Sequence, residues 1–456
     1  MKKHQSSPDL SRRTFLKGSS FSTLMSMLGG VPLIAQEQPK DAPAAIPVGR
    51  TVKCGVIGLG PWGREILSTL VRFPEAKIVA VCDTYPAMVR RAQQSAPGAE
   101  ATDDYRKVLA NQEVEAVVVA TPSHLHRNIV IEALKAGKHV HCEVPLAHTV
   151  EDARAIAKAA KAAFKVLFQS GLQNRSHPQR HFLLQFIRAG AMGKSVMVRA
   201  QWHRKQQWRF TSPNADREKE INWRLSRSTS PGLIGEIGIH HIDMAGWFLD
   251  TKPLAVTGFG SLILWNDGRD VPDTIQSVFE HPQGVNFLYH STIANSFESD
   301  YEVYFGSDSA IMVRENKAWM FKEVDAPLLG WEVYARKDSF YKETGIALVM
   351  DASKLEGQGE NASQDAAVTS TPLYYALEAF LRNAGKMSNA VTDFTANFGN
   401  DDDALKEYLA ETFTKSRLPA AGYQEGFEAT VIALKANEAI MDKKRIVFQK
   451  EWFELG

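Results

Sequence analysis

Two sets of residues in this 456-residue chain have the types and spacing to do chemistry. The first is Gly58-Leu59-Gly60-Pro61-Trp62-Gly63. In a G-x-G-x-x-G loop the first glycine makes a tight turn, the second lets backbone approach a pyrophosphate, and the third lets helix pack on strand. The pyrophosphate then sits at a helix N-terminus, where free N–H groups and the helix dipole favour anions. Gly58, Gly60 and Gly63 take those roles here, with Pro61 and Trp62 between them. The second set is Glu236-Ile237-Gly238-Ile239-His240-His241-Ile242-Asp243. Glu236 and His240 stand four apart and His240 and Asp243 three apart, so a helix puts all three on one face. Asp243 can then orient the His240 imidazole and stabilise its charged form, as an acid–base catalyst requires. The plainer reading is a buried histidine–carboxylate pair that holds two domains together. A metal on Glu236 and His240 has no further ligand cluster to complete it, so none is expected.

The elements around the loop decide what it is. Val52 to Leu59 is an apolar run of the kind a buried parallel strand needs. A helical pattern through Ile66, Leu67, Leu70 and Val71 follows, then a second apolar run, Ile78 to Cys82, that ends in Asp83. An acid about 20 residues past the loop accepts hydrogen bonds from the adenosine ribose hydroxyls. Its charge repels a 2′-phosphate, which favours NAD over NADP, although Arg90 or Arg91 could compensate. The alternation continues with a strand at Ala116–Ala120, then Thr121-Pro122-Ser123-His124-Leu125-His126, and a helix from Ile129 to Ala136. A strand at Val140–Cys142 ends in Glu143-Val144-Pro145-Leu146; a helix capped by Thr149 runs to Ala163, and Val166–Ser170 is one more strand. Ligands of such sheets bind beyond the carboxyl ends of the strands. The glycine loop, Asp83, Thr121, Pro122, His124, His126, Glu143 and Pro145 therefore share one rim.

From about Gly171 the texture changes. Val196–Trp202, Leu254–Leu264, Thr274–Glu280, Val285–Ser291 and Glu302–Phe305 read as strands that follow one another without helices, which points to an antiparallel sheet. Helical patterns flank it at Arg180–Arg188, Gly238–Phe248, Leu373–Asn383 and Phe427–Met441, and Ser353–Ser370 reads as an exposed loop. The expected fold is an α/β Rossmann domain over 51–170 and an α+β domain over 171–456 with an open, mostly antiparallel sheet. Its C-terminal helices could pack back on the first domain.

The N-terminus reads differently. Ser11-Arg12-Arg13-Thr14-Phe15-Leu16-Lys17 and a mildly apolar stretch from Phe21 to Ala35 form a signal peptide of the twin-arginine type. That export machinery moves folded proteins, so a cofactor could travel with the chain to the periplasm. Ala35 is a candidate cleavage point, and 36–50 reads as a linker. No later segment is apolar enough to span a membrane. A net charge of +1 gives nucleic acid and anionic membranes no electrostatic handle. Three cysteines, Cys54, Cys82 and Cys142, lie in apolar runs and are expected buried and reduced.

The layout resembles the glucose–fructose oxidoreductase / inositol dehydrogenase / MocA family. The glycine loop, Thr121-Pro122 with His126, Glu143-Val144-Pro145-Leu146 and Glu236–Asp243 carry the resemblance over roughly residues 50 to 450. The resemblance implies oxidation or reduction of sugars, cyclitols and related alcohols through a nicotinamide. It implies that His240 handles the proton of the reacting hydroxyl, and that His124 and His126 flank the nicotinamide. It also implies assembly of two or four copies through the open sheet. One residue departs from the pattern: Val144 stands where the family has a lysine that contacts the reacting hydroxyl, and valine donates no hydrogen bond. The Glu-Val-Pro-Leu-Ala form resembles a secreted branch containing NAD-dependent α-N-acetylgalactosaminidases, but that branch's His-Gly-Leu-Gly-Pro motif is missing. Candidates for the substrate side are Gln173, Asn174, Arg175, Trp202, His203, Lys205, Trp208, Trp223 and His241. The bland places for these are core for the tryptophans, surface for His203 and Lys205; for His126 it is a helix cap. Three functions follow as expectations: an exported sugar oxidoreductase with tightly held NAD, a redox-neutral NAD-dependent glycosidase, and a non-catalytic sugar- or NAD-binding protein.

Overall fold

The computed structural model describes residues 49–456 apart from 316, 336, 341–342 and 349–369. The signal at 1–35, nearly all of the linker, and the 353–370 loop except Ser370 lie outside the described residues. The first sheet contains β1 (Val52–Ile57), β2 (Ala76–Cys82), β3 (Glu100–Thr102), β4 (Ala116–Val119), β5 (His139–Cys142) and β6 (Phe168–Ser170). They are all parallel, in the order β3-β2-β1-β4-β5-β6. Strand order reverses between β1 and β4, and ligands of such sheets bind at that crevice. The unbroken apolar runs are explained by the helices on both faces, and all four residues of β4 are buried. Among the helices are α1 (Pro61–Leu70), α2 (His126–Lys135) and α3 (Val150–Ala162). Thr149 caps α3 as expected, its hydroxyl accepting from Asp152 N at 3.2 Å.

The second sheet has ten strands: β7 (Ser195–His203), β8 (Ala255–Ser261), β9 (Thr274–Glu280), β10 (Asn286–Thr292), β11 (Asp300–Gly306), β12 (Ser309–Arg314), β13 (Lys317–Lys322), β14 (Lys337–Phe340), β15 (Glu343–Ala347) and β16 (Ile446–Val447). Their order is β14-β15-β13-β12-β11-β7-β10-β9-β8-β16, and only the β7–β10 pairing is parallel. Strand residues alternate between the faces. Val198, Ala200, Phe287, Tyr289, Phe279 and Ile311 point to one face and are buried in a core with Ile239, Ile242 and Phe427. That face carries α5 (Ile239–Leu249), and the later helix α7 (Tyr423–Asp442) crosses it too. A short helix, α4 (Ala215–Ile221), lies in the connection between β7 and α5. Strands β12 to β15 and α4 had no counterpart in the sequence reading.

The long helix α6 (Pro372–Phe398) does return to the first domain. Its Leu377, Phe380 and Ala384 are buried with Val52, Cys54 and Val56 of β1. All three cysteines are free and buried, as expected. Burial pushes the Cys54 and Cys82 thiols up to about 12. Among the described residues no helix is long and apolar enough to cross a membrane.

Candidate cofactor and active site

The carboxyl rim of the parallel sheet is built around three glycines, two of which leave no room for a Cβ. Gly58 has φ +93°, and a Cβ there would lie 2.6 Å from Ala120 O. A Cβ on Gly63 would come 1.9 Å from Gly58 O, so that glycine sets how closely α1 approaches the turn. Gly60 has open space where its Cβ would stand, at the N-terminus of α1. That is the cradle a pyrophosphate needs. Pro61 and Trp62 form the first turn of α1. Asp83 Oδ2 accepts from Leu59 N and Oδ1 from Tyr85 N, each at 2.8 Å, which ties the acid to the glycine loop. Each oxygen keeps a lone pair for a ribose hydroxyl. Thr121 Oγ1 is buried on the same rim with no partner among the described residues. These residues fit a dinucleotide.

Glu143 follows β5, and its Oε1 lies 3.1 Å from His141 Nε2. Its other oxygen fills the space beside Gly171, where a Cβ would come within 2.7 Å. His240, on the first turn of α5, is half-buried and makes no side-chain hydrogen bond among the described residues. Burial lowers its pKa to about 4, against the upward pull of Glu143 and Asp300. The ring is therefore neutral near pH 7, with a nitrogen lone pair available to take a proton. Val144 is buried in the apolar core, so it supplies no polar group.

Several sequence expectations change here. Asp243 does not orient His240. Its carboxylate is held by Arg175, whose Nη2 lies 2.8 Å from Oδ1 and whose Nε lies 3.0 Å from Oδ2. A bidentate guanidinium outcompetes an imidazole for a buried carboxylate, and Arg175, a substrate-side candidate, is engaged in this pair. Glu236 lies in a π turn, Ile234–Gly238, just before α5, so the simple four-residue spacing to His240 fails. Its Oε1 accepts from Ser230 Oγ at 3.0 Å and Ser123 Oγ at 3.3 Å, and Arg224 Nε lies 3.5 Å from Oε2. Burial raises its pKa despite Arg224. Because Ser123 belongs to the rim, Glu236 bridges the two domains through hydroxyls and Arg224, with no histidine in the contact. His126 is buried between Thr121 O at 2.9 Å and Pro145 O at 3.2 Å, and so braces two rim loops.

His241 is also interior, with Nε2 3.0 Å from Asp300 Oδ1. Burial lowers its pKa, but Asp300 and Glu302 outweigh that and the net shift is upward. Trp202 packs on the core, whereas His203, its neighbour, faces the other side of the sheet. There His203 Nε2 meets His290 Nδ1 at 2.9 Å, away from α5. Of the substrate candidates, Gln173 and Asn174 sit half-buried in a turn just past β6. Trp223 stays near the rim, its ring 6.1 Å from that of His124. Burial, then the neighbouring His148, lowers the His124 pKa. The sequence reading missed Arg224, stacked 4.6 Å over Trp223, and Asp300, at the start of β11. Neither stands in a motif.

A family model described as "Oxidoreductase family, NAD-binding Rossmann fold" matches residues 52–170. A second, "GFO/IDH/MocA C-terminal domain", matches residues 182–310, and the two together cover more than half of the chain. The chain belongs to the GFO/IDH/MocA oxidoreductase family. As in that family, its first domain is an NAD-binding Rossmann domain. An inositol 2-dehydrogenase of Rubrobacter xylanophilus is 35% identical over 204 residues, covering 44% of this chain and 53% of the relative. A levoglucosan dehydrogenase of Pseudarthrobacter phenanthrenivorans is 30% identical over 216 residues, covering 46% and 53%. The chain thus spans about half the length of these curated relatives. Among solved structures, an oxidoreductase domain protein from Kribbella flavida superposes with TM-score 0.64 at 17% identity, covering 88% of this chain and 100% of that one. A levoglucosan dehydrogenase in complex with NADH and levoglucosan gives 0.64 at 18% identity, covering 87% and 99%. At those identities the GFO/IDH/MocA likeness of the structures is one of fold.

Proposed function

We propose that this protein is an exported oxidoreductase that oxidises a ring carbinol of a sugar or glycoside with tightly held NAD. The observation that carries the reading is His240, neutral near pH 7, without a side-chain hydrogen bond among the described residues and close enough to Glu143, at the end of β5, to feel its charge. Bound NAD supplies the hydride acceptor. His240 takes the hydroxyl proton as the carbinol becomes a carbonyl, and Glu143 favours the imidazolium that results. Gln173 and Asn174 offer amide groups where Val144 offers none. The names of the two curated relatives, dehydrogenases of a cyclitol and of an anhydrosugar, support a polyhydroxylated substrate. Arg12-Arg13 supports export in the folded state. We read the outward face of the open sheet as the contact with a second copy, since Phe259 is 58% and Val278 38% exposed there.

Val144 favours one competing reading. A redox-neutral glycosidase would oxidise, eliminate the aglycone, add water and reduce again, so the cofactor would never need replacement outside the cytoplasm. Two measurements test the pair. Mass spectrometry of the denatured protein should release NAD(H). Turnover of a glycoside in D2O without added NAD then separates them: deuterium beside the oxidised carbon, with aglycone release, supports the glycosidase. Net formation of NADH from a sugar without aglycone release supports the dehydrogenase.

A further inference from the structure

The connection between β7 and α5 runs from residue 204 to residue 238. It carries its own polar lattice. Phe210 N donates to Asn222 Oδ1 at 2.9 Å, and Asn222 Nδ2 donates to Phe210 O at 2.8 Å. Arg209 Nε lies 3.2 Å from Asp267 Oδ2, anchoring the excursion to the loop between β8 and β9. Asn214 caps α4 by accepting from Arg217 N at 2.9 Å. A segment so tied presents its side chains in fixed places.

One of those side chains crosses to the first domain. Arg217 Nη1 donates to Thr84 Oγ1 at 3.3 Å and pairs with Glu220 Oε2 at 3.1 Å, while Nη2 stands 3.8 Å from Asp83 Oδ1. The guanidinium lies 4.7 Å over the Tyr85 ring. Its side chain is 19% exposed, and Nε is buried with no partner among the described residues. Arg90 and Arg91, by contrast, are exposed on their helix. The cation beside the ribose-reading acid therefore comes from the second domain. A spacing of 3.8 Å exceeds a hydrogen bond, which leaves the Asp83 lone pairs open to ribose hydroxyls.

We propose that Arg217 clasps the adenosine ribose of the bound dinucleotide, so that the second domain retains the cofactor by its far end. The inference rests on the NAD-binding reading of the first domain. It makes lifting of α4 a condition for cofactor release. Replacing one charge-assisted hydrogen bond should change affinity about ten- to hundredfold. The test is NAD release from the loaded full-length protein, together with the dissociation constant of the stripped protein, for wild type, Arg217→Gln and Arg217→Lys. The glutamine variant should release NAD about ten- to hundredfold faster, lysine should recover part of the loss, and the stripped variants should melt within about 2 °C of wild type. An unchanged release rate would overturn the clasp. So would faster release matched by a large fall in stripped-protein melting temperature, or an effect confined to NADP, which would make Arg217 a phosphate receptor. A wild-type protein that binds no NAD would overturn the cofactor reading itself, an outcome distinct from NAD binding that ignores Arg217.

Discussion

The charges of Glu143 and Asp300 pull the His240 pKa upward, yet burial dominates and lowers it to about 4. A base with that pKa stays active well below the pH at which an ordinary histidine protonates, about 6.5. The acid limb of kcat/KM should therefore fall near pH 4, and His240→Ala should lower kcat by about 10²- to 10⁴-fold with NAD still bound. A limb near 6.5, or full turnover in the alanine variant, would remove His240 from the role. Asp243 makes the opposite case. Asp243→Asn strands the Arg175 charge, which is 20% exposed, and should cost about 3 kcal/mol in urea unfolding. Its kcat should suffer less than that of His240→Ala. The sequence made His240 visible through its type and motif. It hid the partner, because Arg175 stands 68 residues before Asp243 and no local spacing reports such a pair.

The glycine loop shows how an element carries function through closeness alone. In Gly63→Ala the new methyl would stand 1.9 Å from Gly58 O and has to push α1 off the turn. The expected cost is about 1–3 kcal/mol of stability, with NAD affinity falling alongside it in a titration of the stripped protein. Wild-type affinity with the methyl in place would mean that the helix N-terminus does not hold the pyrophosphate. This element was legible because a parallel strand covered on both faces must be mostly apolar: β4 is apolar throughout, and β1 is broken only by Lys53. The π turn before α5 was not, since a count at 3.6 residues per turn places Glu236 on the face of His240 and nothing in Ile234–Gly238 announces the wider turn. Trp202 and His203 were legible in part: adjacent strand residues must face opposite sides, so they could not both meet one substrate. The parallel pairing of β7 with β10 joins strands far apart in the chain, beyond the reach of local pattern.

At the scale of the molecule, the two faces of the second sheet differ. The inner face builds the core under α5. The outer face leaves Phe259 and Val278 exposed, and a second copy covering them should double the mass in light scattering. Phe259→Asp with Val278→Asp should give a folded monomer. Acid stability depends instead on the interior. Burial lowers His139, His240 and His281 to about 4 each. Between pH 6.5 and 4 the unfolded chain binds these protons and the folded chain does not, so stability is complete above 6.5 and is lost as pH falls towards 4. Each group contributes up to about 1.4 kcal/mol per pH unit in that window. His241, raised by Asp300 and Glu302 against burial, acts in the other sense: its share is present below 6.5 and fades as pH rises through its folded value. It offsets part of the loss. His139 shows why protonation hurts, since its Nδ1 accepts from Leu167 N at 2.8 Å while Nε2 meets Ser388 Oγ at 2.8 Å. A proton on Nδ1 would break its bond to Leu167 N, just before β6. Urea midpoints should climb from pH 4.5 to 7, and His139→Gln should make that climb shallower. Midpoints that stay flat across the window would show that these histidines do not couple protonation to the fold.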